Sequence, residues 1–180
     1  MLITIEKLKE LYSDKDFSKY SDERLAMKLG AIETSVREHT HNPFINRHTI
    51  TECFSKNDCV YGDFQYFKLG DTVNVYSSGV NNGLYTILEK HDDYIVLDKE
   101  VYDSDSMKLA KVEYPLEIID GCVELLDYEL NYKDKLKSGI SSESISRHSV
   151  SYVQMNNSNS LNGYPIHLLG FLKKYVNWRT

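Results

Sequence analysis

The sequence predicts a mainly α protein: a small bundle of three to four helices carrying an inserted small antiparallel, barrel-like β domain and a polar hairpin arm, α+β overall. Three observations predict it. Three stretches repeat their apolar residues at spacings of three and four, the signature of one helix face. Between residues 50 and 113 the period drops to two and turn dipeptides recur. The charge divides at the same place, with 6 Lys/Arg against 12 Asp/Glu in residues 51–113 and 15 of each elsewhere. A charge shift of this kind marks a boundary between structural units. The expected organisation is a helical domain of 1–49 with 114–180, and an inserted β domain of 51–113.

Thr4 caps a first short helix with Ile5, Leu8 and Tyr12 on one face, ended by Ser13-Asp14-Lys15-Asp16. Ser21-Asp22-Glu23 opens the second, a capping hydroxyl followed by two acids at the positive end of the helix dipole. Leu25, Leu29, Ile32 and Val36 form its stripe, Gly30 is a site for close helix approach, and the helix ends near His41, before Asn42-Pro43. In the β segment, Val73, Val75, Leu84, Thr86, Ile95 and Leu97 fall in alternating runs. Gly70-Asp71, Asn81-Asn82-Gly83 and His91-Asp92-Asp93 separate them as turns, giving four to six short strands. Tyr114-Pro115 starts the third long helix, with Leu116, Ile119, Val123, Leu126 and Leu130 as its stripe and Ser138-Gly139 as its stop near Lys137. Residues 139–152 read as a polar hairpin with Ile140, Ser142, Ser144 and Ser146 on one alternating face, and 154–163 as a polar loop. Gly163-Tyr164-Pro165 starts a last helix anchored by Leu168, Leu169, Leu172 and Tyr175.

The composition excludes more than it assigns. A net charge of −6 argues against electrostatic wrapping of nucleic acid. Three cysteines give no disulfide framework, no apolar run reaches the ~20 residues of a membrane helix, and Glu6 and Glu10 interrupt any leader-type apolar core. A cytoplasmic site of synthesis is expected.

Candidate chemistry is thin. His39 and His41 lie two apart, which puts them on different helix faces and leaves them without a spaced carboxylate. Cys53 and Cys59 exceed the usual zinc spacing, and Cys122 falls on the buried side of its helix. Arg147-His148-Ser149 lacks the surroundings of a nucleophilic serine, and no phosphate-binding glycine loop occurs. No catalytic centre, metal or cofactor is expected. Of 21 aromatics, nine fall in 51–113; on a small barrel they can stack single-stranded bases, but this segment is acidic. Tyr175, Trp178 and Arg179 are residue types that dominate interfaces.

Three stretches together resemble the head–tail connector (head-completion or adaptor) proteins of tailed phages and prophages. Tyr20-Ser21-Asp22-Glu23-Arg24-Leu25 through Ala31-Ile32-Glu33 and Asn42-Pro43-Phe44 is similar to that family's opening helix. Gly139-Ile140-Ser141-Ser142-Glu143-Ser144-Ile145 with His148-Ser149-Val150-Ser151-Tyr152 is similar to its hairpin after the long helix. Gly163-Tyr164-Pro165, Leu168-Leu169 and Leu172-Lys173-Lys174-Tyr175 are similar to its short closing helix. The inserted segment departs from the family, whose members run directly between the helices. The resemblance implies a structural ring protein in the virion neck, usually dodecameric and monomeric before assembly. Such a ring docks under the portal protein, extends the channel through which double-stranded DNA passes, and carries the next connector or tail-terminator protein. Ile140, Ser142, Ser144, Arg147, His148, Tyr152, Tyr175, Trp178 and Arg179 are then the candidate portal or neighbour contacts. The rival expectations are a tail-terminator or tail-completion ring, a single-stranded nucleic-acid-binding module, and a small hydrolase using His39 or His148.

Overall fold

The computed structural model describes residues 2–131, 142–145, 148–151, 160–161 and 163–177. In chain order the elements are α1 (Ile5–Leu11), α2 (Asp22–Thr40), a 3-10 turn (Arg47–Thr49), β1 (Thr51–Lys56), β2 (Cys59–Gly62), β3 (Thr72–Tyr76), β4 (Gly83–Lys90), β5 (Tyr94–Leu97), β6 (Ser104–Lys111), α3 (Leu116–Asn131), β7 (Ser142–Ile145), β8 (His148–Ser151), β9 (Ser160–Leu161), β10 (Tyr164–Pro165) and a closing 3-10 helix (Ile166–Tyr175). They fall into two units, 1–42 with 115–180, and 43–114.

The second unit overturns the expectation of a mainly α bundle. Its six strands close into an antiparallel barrel in the order β1-β2-β5-β4-β3-β6, with β6 returning to β1. The barrel has its own core: Val60, Val73, Val75, Ile87, Ile95, Met107 and Leu109 are essentially inaccessible, and Phe64 meets Phe67 edge to face at 5.8 Å. A closed sheet has no exposed edge to protect, so it stands as a full structural unit in its own right. The helical share is also smaller than expected, because α1 has only 7 residues and the last helix is 3-10.

Local chemistry explains the closure. Asn57 and Asp58 carry positive φ angles of 52° and 62°, which makes a two-residue turn of the primed type between β1 and β2. Register shifts between Cys53 and Ser55 and between Ile87 and Glu89 bend the sheet. Val73, Val75, Ile95 and Leu97 face inward, as the alternation predicts. Leu84 and Thr86 do not: Tyr85 and Ile87 fill the core, and the phase of β4 is reversed. The expected turn residue Asn81 is a core residue, 1% exposed. Its amide pairs with the backbone of Tyr102 in both directions, Nδ2 donating to the carbonyl at 2.8 Å and Oδ1 accepting from the N–H at 2.9 Å. Its own carbonyl accepts from the Tyr85 hydroxyl at 3.0 Å, and that bond turns Tyr85 inward.

The barrel unit begins earlier than the change of period suggests. Ile45 bridges Val112, Phe44 O accepts from Glu113 N at 2.8 Å, and the Phe44 and Tyr114 rings lie 4.9 Å apart. The incoming and outgoing strands are thus paired to each other.

In the helical unit, Ser21 Oγ caps α2 by accepting from Arg24 N at 3.3 Å, and Leu25, Leu29, Ile32 and Val36 are buried as their spacing predicts. Gly30 permits no close approach, since a methyl group there would meet nothing within 4 Å. The close approach is at Gly121 on α3, where a methyl would lie 2.5 Å from the ring of Phe171. On α3 the buried residues are Ile118, Cys122, Val123, Leu125, Leu126 and Tyr128, while Leu116, expected in the stripe, is 83% exposed. The buried face is wide because α3 packs against α2 on one side and the closing 3-10 helix on the other. The stretch expected to continue α3 to Lys137 lies outside the described residues. Leu169, Leu172 and Tyr175 recur every third residue, the repeat of a 3-10 helix, whose side chains eclipse at that spacing.

Candidate interaction sites

The residues able to carry chemistry are scattered. Among the described residues no three His, Cys, Asp or Glu side chains gather to hold a metal ion. His41 ends α2 in a left-handed conformation (φ 49°), and His39 lines a narrow gap with Ile32, Val36, Tyr164 and Leu172. The three cysteines are free, and burial pushes the Cys53 and Cys122 thiols up to about 12. A thiol so shifted stays protonated at neutral pH and is a poor nucleophile.

These groups predict alkaline sensitivity. Unfolded thiols ionise near 9.0 and tyrosines near 10.0. In the folded chain Cys53, Cys122 and Tyr12 hold their protons to about 12, chiefly through burial, and Tyr12 also through its bond to Asp120. For the two buried thiols, raised pKa values mean stability fully present below pH 9 and lost as pH climbs toward 12, by up to ~1.4 kcal/mol per pH unit each, while the solvent-screened Tyr12 adds less and only above pH 10. Urea midpoints measured from pH 7 to 11 should fall above pH 9, and Cys122→Ala should shrink the part of the fall that begins there.

β7 and β8 pair as Ser142↔Ser151, Glu143↔Val150, Ser144↔Ser149 and Ile145↔His148. This register places Ser142, Ser144, Ser149 and Ser151 on one face of the hairpin and Glu143, Ile145, His148 and Val150 on the other. Among the described residues no third strand joins this sheet. Ile140, Arg147, Tyr152, Trp178 and Arg179 lie outside the described residues.

The closing segment is fastened at both ends. Tyr164, 7% exposed, donates its hydroxyl to Glu129 Oε1 on α3 at 2.7 Å, and Lys28 Nζ of α2 reaches Glu129 Oε2 at 2.9 Å. Burial and the neighbouring Glu129 carboxylate raise the Tyr164 pKa. At the far end Asn177 N donates to Thr40 O at 2.8 Å, Asn42 Nδ2 donates to Tyr175 O at 3.2 Å, and the Tyr175 hydroxyl reaches Glu117 at 3.1 Å. Tyr175 therefore secures its own unit.

Comparison with known proteins assigns no family. No family model matches the chain, and no curated protein matches it. Among the described residues, no helix is long and apolar enough to cross a membrane.

Two exposed surfaces were not foreseen. An open cleft of about 690 Å³ between α1 and the start of α3 is lined by Leu2, Ile3, Leu11, Tyr12, Leu116 and Ile119. On the barrel, Phe54, Tyr61, Tyr94 and His91 form a continuous row of rings. Phe54 stacks on Tyr61 at 5.1 Å and 11°, Tyr61 meets Tyr94 at 5.6 Å, and Tyr94 stacks on His91 at 4.3 Å and 16°. Strand register produces the row, since Phe54 opposes Tyr61 across β1 and β2, and Tyr61 opposes Tyr94 across β2 and β5. The signal in the sequence was three strands each carrying an aromatic out of phase with its buried neighbours, but strand order was needed to see that they adjoin.

Proposed function

We propose that the chain is a structural virion assembly protein, a head–tail connector of a tailed phage or prophage. In this reading it forms a ring below the portal protein, extends the DNA channel, closes the filled head and carries the next tail-side protein. It has no enzymatic role, and its place is the neck of the virion.

The observation that carries the reading is the serine-faced hairpin of β7 and β8, placed after the long helix α3 and before Tyr164-Pro165 and the closing segment. That order is the one the three resembling stretches share. A lone two-stranded hairpin is marginal in water, and one with a hydroxyl face has little apolar surface to hold it. Pairing with a neighbouring chain would give such a hairpin a further strand or surface. The exposed apolar cleft beside α1 is a further surface of the kind assembly proteins bury.

The test is electron microscopy of particles from a producer strain lacking this gene. DNA-leaking heads without tails, alongside separate finished tails, are expected. Normal infectious particles would refute the reading. Heads joined to tails of uncontrolled length would instead indicate a tail terminator.

A further inference from the structure

We propose that the aromatic row of the barrel, Phe54-Tyr61-Tyr94-His91, binds an arginine-bearing basic segment of a partner protein. This goes beyond the connector reading and does not depend on it. Three rings in register across three strands, continued by His91 stacked on Tyr94, form an ordered row rather than scattered surface aromatics. Phe54 is 46% exposed and the His91 side chain 45%, so both ends of the row are open to a partner.

The charges around the platform select its occupant. Glu89 lies 3.2 Å from His91 at one end of the row. Asp92 and Asp93 form the exposed segment leading into Tyr94, and Gly62 N donates to Asp93 O, which brings exposed Asp63, whose carboxylate accepts from Gln65, toward the same end. The nearby lysines are mostly engaged: Lys90 Nζ donates to Phe67 O, and Lys108 sits 3.7 Å from Glu52. Lys56, opposite Cys59 in the adjoining row, is a further cation next to the aromatic row. Four carboxylates gathered at one end of an aromatic row repel phosphate within the ~8–10 Å reach of charge in physiological salt. They attract a cation, and a planar guanidinium can extend the stack on the outer face of an end ring while donating in pairs to carboxylates, which a lysine ammonium does not.

The experiment uses the full chain and a short labelled peptide in which arginine alternates with serine, with its lysine counterpart and oligothymidylate as comparisons. Binding is read by fluorescence anisotropy, and the site by the ring resonances of Tyr61 and Tyr94. The arginine peptide should bind several-fold tighter than the lysine peptide and shift both rings. Tyr94→Leu, which keeps an apolar cross-strand contact, should weaken binding about tenfold, whereas Tyr94→Phe should leave it unchanged. Asp92→Asn with Asp93→Asn should weaken binding and flatten its salt dependence. The proposal is overturned if the arginine peptide does not bind, if lysine serves equally, if Tyr94→Leu binds like the parent chain, or if oligothymidylate binds more tightly than the arginine peptide.

Discussion

Asn81→Ala is expected to destabilise the barrel by about 3 kcal/mol, the largest loss from any single side chain outside the apolar core. The side chain is buried and joins the backbone of Tyr102 through both its amide atoms, as a strand neighbour would. After the substitution the Tyr102 carbonyl still accepts from Ser55 Oγ at 2.7 Å, but its part-buried N–H loses its acceptor. Tyr85 is affected less, because it bonds the Asn81 main chain. Asn82→Ala removes only an exposed bond, from Ser78 N, and should cost less than about 1 kcal/mol. Amide exchange at Met107 and Leu109, deep in the barrel, is the suitable probe, since a chain of two units need not unfold in one step. Equal protection in Asn81→Ala and the parent chain would show that the amide pairing contributes nothing.

The second large effect is expected at Gly121. A methyl group there would occupy the place of the Phe171 ring, so Gly121→Ala must drive that ring off α3 at a cost of about 1–3 kcal/mol. The loss should be local: exchange should quicken across 163–177 while the barrel amides keep their protection. Phe171→Leu in the same chain should recover part of the loss, a non-additivity that identifies the ring contact as the cause. Gly30→Ala is the contrasting change. It meets open space on an exposed turn of α2 and should stabilise the helix by up to ~1 kcal/mol.

These two sites show where sequence reasoning stopped. The stripe of α2 was legible because its buried apolar residues, Leu25, Leu29, Ile32 and Val36, keep the helical spacing, and the capping Ser21 marks its start. The stripe of α3 was legible only in part, because two packing partners widen the buried face and the period then no longer selects a side. The phase of β4 was unreadable for a related reason: Leu84-Tyr85-Thr86-Ile87 alternates plausibly either way, and the bond from Tyr85 to Asn81, a contact between side chain and main chain, decides it. Asn-Asn-Gly is a turn signal, and nothing local distinguishes an exposed turn asparagine from one folded into the core. The weight of the barrel was underestimated because its core residues are spread over six short strands, each too short to stand out against the long helical stripes. The hairpin was placed by its alternating serines, and the aromatic row was hidden because β2 and β5, two of its three strands, are separated in sequence by two others.

The paired entrance to the barrel has a consequence for folding order. Residues 43–114 separate α2 from α3 along the chain, and an unfolded stretch of that length would oppose the meeting of the two helices. Once Ile45 bridges Val112 and Phe44 holds Glu113, the same stretch acts as a connection of a few residues. Loop-closure entropy falls by about 2–3 kcal/mol when a loop shortens from some seventy residues to a handful. A barrel that forms first therefore accelerates the docking of α2 on α3, and the insertion serves the helices as a clasp.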